Sequence, residues 1–146
     1  MLSFAVTQEV LMAIAVWSKQ LSVGFSRIDT DHQKLFDLIN KLSEAMGAGK
    51  GRAVLKDIFG ALTQYTITHF AMEEGLMQQH RYDHYAEHRQ QHVALVLKLK
   101  DLQKRLAQPD PLLTVELMEF LSNWLRDHIG KYDSRLGQFL TLKKAA

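Results

Sequence analysis

Apolar residues recur along most of this chain at alternating steps of three and four, the period of one helix face. The longest run is Tyr85, His88, His92, Leu95, Leu99, Leu102 and Leu106. It predicts a helix over about 82–107, stopped by Pro109 and Pro111, which can neither donate to a helix nor let the preceding residue stay helical. Upstream, His32, Leu35, Ile39, Leu42 and Met46 mark a first helix over about 31–46. Asp29 or Thr30 is its expected cap, and Gly47, Gly49 and Gly51 are its break. Leu55, Ile58, Leu62, Tyr65, His69, Met72/Glu73 and Leu76 mark a second helix over about 52–79. Leu117, Leu121, Trp124 and His128 mark a fourth, starting after Pro111 or at Thr114, and a short helical piece follows to about Leu142. No useful period-two alternation occurs. The expected fold is all-α: an up-down-up-down four-helix bundle with an N-terminal arm and a short C-terminal helical piece. Residues 1–146 then form one domain, with 12–30 as the arm, 31–142 as the bundle and 1–11 as an extension.

The same stripes carry unusual polar residues. His32, His69, His88, His92 and His128 fall on inner faces, at least one per helix. Glu73 lies one turn from His69, and Asp133 lies five residues beyond His128. Five imidazoles and two carboxylates buried without partners would cost several kcal/mol. A core that places them together needs a compensating cation. Seven donors exceed what one tetrahedral zinc takes. They suit two six-coordinate ions bridged by carboxylates, and imidazole with carboxylate favours iron, with manganese or zinc as alternatives. One link needs special geometry. Residues five apart lie about 140° apart on an ideal helix, so His128 and Asp133 can share a site only if the helix widens or ends there. Gly130 is expected to ease that distortion.

Phase excludes the other two histidines. Steps of seven from His84 meet Gln91, Lys98 and Arg105, and from His80 meet Glu87, Ala94 and Asp101. Those stripes face water. Glu74, about 100° round the helix from Glu73, is expected to point outward or to support a donor from behind.

Composition narrows the function classes. The chain has no Cys and a formal charge of +2. Thiolate sites and disulfides are excluded, a cytoplasmic home is compatible, and scattered Lys and Arg give no nucleic-acid footprint. The start of the chain lacks a basic region, and Glu9 interrupts its apolar run. Neither a secretory signal nor a membrane-inserted segment is expected.

The pieces Ile28-Asp29-Thr30-Asp31-His32-Gln33-Lys34-Leu35, His69-Phe70-Ala71-Met72-Glu73-Glu74, His88 with His92, and Trp124-Leu125-Arg126-Asp127-His128-Ile129 with Asp133 resemble the hemerythrin family in its bacterial single-domain form. The likeness covers about 12–142. It departs where the family often has Pro after the Tyr that opens the third helix, since Asp83 stands there. The resemblance implies two non-haem iron ions with an oxo or hydroxo bridge. His88, His92 and His128 would hold one, His32 and His69 the other, and Glu73 and Asp133 would bridge them. It implies O2 bound reversibly as hydroperoxide on the five-coordinate iron, with Trp124, Leu125 and Ile129 as the apolar wall of that pocket. The implied role is storage, transport or delivery rather than enzymatic turnover, by a monomer whose delivery partner is an O2-consuming protein. A diiron redox enzyme acting on peroxide or nitric oxide, and an O2 or iron sensor module, are the competing readings.

Overall fold

The computed structural model describes residues 17–49, 52–106 and 113–145. Helix α1 spans Ser26–Gly47, α2 Arg52–Gln79, α3 Tyr85–Arg105 and α4 Leu113–Asp127. A π-helical segment, His128–Asp133, leads directly into α5, Ser134–Ala145. The expected all-α bundle is the observed fold. Among the described residues there is no strand, and no helix is long and apolar enough to cross a membrane. Residues 1–11, the first part of the arm (12–16), Gly51 and the Pro109–Pro111 stop lie outside the described residues.

The core is a column of apolar side chains from all four helices. Leu35, Ile39 and Leu42 of α1, Phe59 and Leu62 of α2, Leu95, Leu99 and Leu102 of α3, and Leu117 and Leu121 of α4 are buried. Each contributes about 1.5–3 kcal/mol over leaving it in water. The α3 stripe is buried as expected from His88 to Leu106. The α2 stripe needs correction. Leu55, Ile58, Tyr65, Met72 and Leu76 are only half-buried, while Phe59, Thr63, Thr66, Phe70 and Met77 complete the inner face. Helix α2 packs against both α1 and α3, so its buried arc is wider than one stripe and centred differently.

Two starts also move. Helix α1 begins at Ser26, not near Asp31, with Phe25 at the cap position and no side-chain cap. Asp29 sits in the first turn and reaches back, accepting from the Val23 amide at 2.8 Å and from the Ser22 hydroxyl. It therefore pins the arm rather than starting the helix. Helix α3 begins at Tyr85, not Tyr82, because the chain closes α2 with a six-residue turn. Tyr82 N–H donates to Met77 O at 2.9 Å and Arg81 N–H to Gln78 O at 3.2 Å, with Arg81 left-handed at φ 54°. This is a Schellman motif, and its usual apolar contact is supplied by buried Tyr82 and Met77.

The described part of the arm packs against the bundle. Val23 is buried, while Trp17, Leu21 and Phe25 are half-buried against the core. It meets α5 where Gly137 leaves room, because a Cβ there would collide with the Val23 carbonyl oxygen and stand 2.8 Å from the Val23 Cβ. Gly137→Ala is therefore expected to destabilise the fold by about 1–3 kcal/mol, the range for overpacking a tight contact. A lowered urea midpoint with an unchanged slope is the check.

Candidate metal centre

Four helical segments each deliver buried donors to one level of the bundle. His32 comes from α1, His69 and Glu73 from α2, His88 and His92 from α3, and His128 and Asp133 from the π segment. All seven are 0–2% exposed. The π segment answers the problem of phase. Helix closed by i→i+5 hydrogen bonds stacks residues five apart over one another, so His128 and Asp133 turn to the same side. Gly130 lies in this segment, but space is open where a Cβ would stand. The widening follows the burial of the two donors and does not require glycine.

Asp133 is the hub. Its Oδ2 lies 2.9 Å from His32 Nε2, and its Oδ1 lies 3.0 Å from His88 Nε2 and 3.1 Å from His128 Nε2. Glu73 Oε1 lies 3.2 Å from His92 Nε2, 3.5 Å from His69 Nε2 and 3.9 Å from His88 Nε2. These donors fall into two groups that share both carboxylates. Glu73, His88, His92, His128 and Asp133 form one, and His32, His69, Glu73 and Asp133 the other, with donor atoms inside each group within 4.8 Å of one another. Opposite donors on an ion with bonds of about 2.0–2.2 Å are separated by roughly 4.0–4.4 Å, so each group fits around one ion.

A stronger sign of fit is what the donors lack. Nε2 of His69, His88, His92 and His128, both Glu73 oxygens and Asp133 Oδ1 are buried with no hydrogen-bond partner among the described residues. Native interiors leave few polar atoms in that state. Here the same atoms belong to the two donor groups, and such a set fits the ligands of cations.

The electrostatics agree. Burial pushes the His69 imidazole down to about 4, with His32 adding to the effect and Asp31 opposing it. Burial, His128 and His88 push His92 down to about 2. Both rings are therefore neutral near pH 7, as metal ligands must be. Burial and the charge of Asp133 raise Glu73 well above the usual carboxyl range. Burial also raises Asp133, but His128, His32 and His88 beside it win and hold it well below that range.

Aromatic rings sheathe the three-histidine group. Phe70 stacks on His92 with centroids 3.7 Å apart and planes 5° apart. Trp124 stacks on one side of His128 at 4.7 Å, and Tyr132 lies nearly parallel to the same ring at 5.6 Å. Leu125 and Ile129 are buried close by in sequence, on α4 and the π segment.

The family profile described as the hemerythrin HHE cation binding domain matches residues 23–140. This chain belongs to the hemerythrin family. It is 32% identical over 133 residues to the bacteriohemerythrin of Methylococcus capsulatus, covering 89% of this chain and 99% of that one. It is 30% identical over 118 residues to the myohemerythrin of Riftia pachyptila, covering 81% and 87%. A solved hemerythrin with a leucine-to-tyrosine substitution superposes with a TM-score of 0.73 at 29% identity, covering 84% of this chain and 94% of that one.

Within this hemerythrin, the seven donor residues singled out in the sequence all meet at the centre. His84 is exposed and pairs with Glu87, and His80 lies half-buried at the rim, so neither joins. Glu74 takes the supporting role, with its Oε2 3.0 Å from His92 Nδ1. Sequence reasoning missed Phe70, Tyr132, Asp31 and Tyr65. Phe70 and Asp31 sit beside donors in the chain, which was the available signal.

The shifts fix a pH dependence for the metal-free chain. An unfolded histidine takes a proton near 6.5, whereas folded His69 and His92 refuse it until about 4 and about 2. The unfolded state then binds more protons, so stability falls as pH drops below 6.5. Glu73 acts oppositely, because the fold keeps a proton that the unfolded chain releases above 4.5. Two histidines against one carboxyl leave the unfolded chain with the larger net proton uptake between pH 4.5 and 6.5. The denaturant midpoint of the metal-stripped chain is expected to be lower at pH 4.5 than at pH 6.5.

Proposed function

We propose that this hemerythrin binds O2 reversibly at two iron ions. His88, His92 and His128 serve one ion, His32 and His69 serve the other, and Glu73 and Asp133 serve both. The observation that carries the reading is the unequal donor count. One group offers five residues and the other four, with the two carboxylates common to both. The four-residue group is the one left short of protein donors and so is the one open to a small ligand. Ferrous ions held by the two groups would together supply two electrons, and the ion of the four-residue group would offer O2 a coordination position.

The chain's own residues restrain that chemistry. Two carboxylates and five neutral imidazoles leave more positive charge on two divalent ions than a carboxylate-rich shell would. Ferritin-like di-iron bundles use more carboxylates. A histidine-rich shell discourages the higher-valent states needed to cleave O2, and so favours release over oxidation of other molecules. Phe70 and Trp124 cover the rings of His92 and His128, and Trp124 with buried Leu125 and Ile129 is assigned to the apolar wall of the O2 pocket. A dry surround limits the proton supply that would turn bound O2 into released peroxide and leave the irons ferric.

The deciding experiment loads the chain with ferrous iron without air and counts about two irons per chain. Its visible spectrum is then followed on adding O2 and on removing it under vacuum. A new band that disappears under vacuum with the ferrous state intact supports the carrier reading. Immediate conversion to the ferric state with no oxygenated form overturns it. Sustained turnover of peroxide or nitric oxide with a simple reductant makes the protein an enzyme instead.

Phe70 supplies a second test. Phe70→Leu removes the ring face from His92 and is expected to raise the rate of spontaneous oxidation roughly tenfold, by admitting water, for a stability cost of about 1 kcal/mol. Loss of the oxygenated spectrum with time is the measurement.

A further inference from the structure

We propose that Asp31 and Glu74 are positioning residues, one for each half of the centre, and that each controls metal retention in its own half. The proposal rests on the assignment of the buried donors to two ions.

A count of the outward ring nitrogens leads to it. His32, His88 and His128 have Nδ1 buried with no hydrogen-bond partner among the described residues. Among the described residues, two of the five imidazoles are held from behind. His69 Nδ1 lies 2.9 Å from Asp31 Oδ2, and His92 Nδ1 lies 3.0 Å from Glu74 Oε2. His69 belongs to the two-histidine group and His92 to the three-histidine group. Each group therefore has one anchored ring.

The chemistry of the anchor is specific. An ionised carboxylate only accepts, so the imidazole facing it carries its proton on Nδ1. The lone pair is then on Nε2, the atom that faces Glu73 in both rings. Partners of this kind fix tautomer and ring orientation, and they raise the basicity of the ligand. Neither anchor is fully buried, since Asp31 and Glu74 side chains are 25% and 24% exposed. Each keeps some hydration and avoids the cost of a fully buried charge.

Each anchor is itself held on its second oxygen. Tyr65 donates its phenol to Asp31 Oδ1 at 2.8 Å, and Arg89 Nε lies 3.5 Å from Glu74 Oε1. The anchors also bridge helices. Asp31 on α1 holds a ring on α2, and Glu74 on α2 holds a ring on α3. Each is the chain neighbour of a donor, Asp31 before His32 and Glu74 after Glu73. A shift of one donor helix is thereby transmitted to a ring on the next.

Release of ferrous iron to excess chelator, followed without air, tests the assignment. Asp31→Ala and Glu74→Ala are each expected to release one of the two irons 10–100-fold faster than the wild type, leaving the other near the wild-type rate. The double variant is expected to release both quickly, because the two anchors act on different ions. Asp31→Asn and Glu74→Gln keep an acceptor oxygen and are expected to restore most of the retention. Tyr65→Phe moves the same ion as Asp31→Ala by a smaller factor. If either alanine variant speeds both irons equally, or neither, the contacts only tie helices together and the proposal fails. A wild-type chain that does not take up two irons defeats the reading of the centre itself, which is a separate result.

Discussion

Two carboxylates and five imidazoles lie inside a dry helical bundle, and the rest of the molecule is arranged around that expense. Glu73 and Asp133 are at most 1% exposed, and Nε2 of His69, His88, His92 and His128 beside them has no hydrogen-bond partner among the described residues. Left alone, this arrangement opposes folding. The two carboxylates respond in opposite directions, Glu73 driven toward the neutral acid and Asp133 held ionised by the histidines around it. Two buried carboxylates in one site cannot both ionise easily without added positive charge. Cations remove the conflict, since they favour both carboxylates ionised and all five rings neutral. The apolar column of Leu, Ile and Phe is the scaffold that makes so costly a centre sustainable.

The bundle solves a geometric problem at the same level. Four straight helices offer donors at steps of three or four, which suits His69 with Glu73 and His88 with His92. The fourth helix must supply His128 and Asp133 at a step of five. It does so by widening into a π segment before α5 resumes ordinary geometry. Such widenings are rare and concentrate at functional sites. Here the cause is local and visible, because both ends of the segment are donors to the same centre. Asp133 touches three histidines from three different segments, so its placement fixes how α1, α3 and the π segment converge.

Much of this was legible in the chain. The α3 stripe reads cleanly because every inner position from His88 to Leu106 is either a donor or leucine, and most outer positions are polar, with Val93 and Leu97 as exposed exceptions. The seven donors stood out because imidazoles on apolar faces recur in four segments, which chance does not favour. The α2 face was read less well. Apolar residues run most of the way round that helix because it has neighbours on two sides, and periodicity cannot choose a centre for so broad an arc. The start of α1 was misplaced because Asp29 has the chemistry of a cap but uses it backward, on Val23 and Ser22. The start of α3 was misplaced because a left-handed Arg81 is invisible to a rule that looks for glycine.

What the sequence could not show are the contacts between helices. Asp31 looked like the first residue of a helix, and Tyr65 like part of a core stripe. Only in three dimensions does the phenol meet the carboxylate that meets His69. The same holds for Phe70, whose ring covers His92 across the α2–α3 interface. These residues share a position in the chain, one step or one turn from a donor. The helix that carries a donor inward also carries its neighbours to the adjoining interface, where they meet donors of the next helix. In a bundle of this kind the surroundings of each donor are thus written beside a donor of the neighbouring helix, one helix away from where they act.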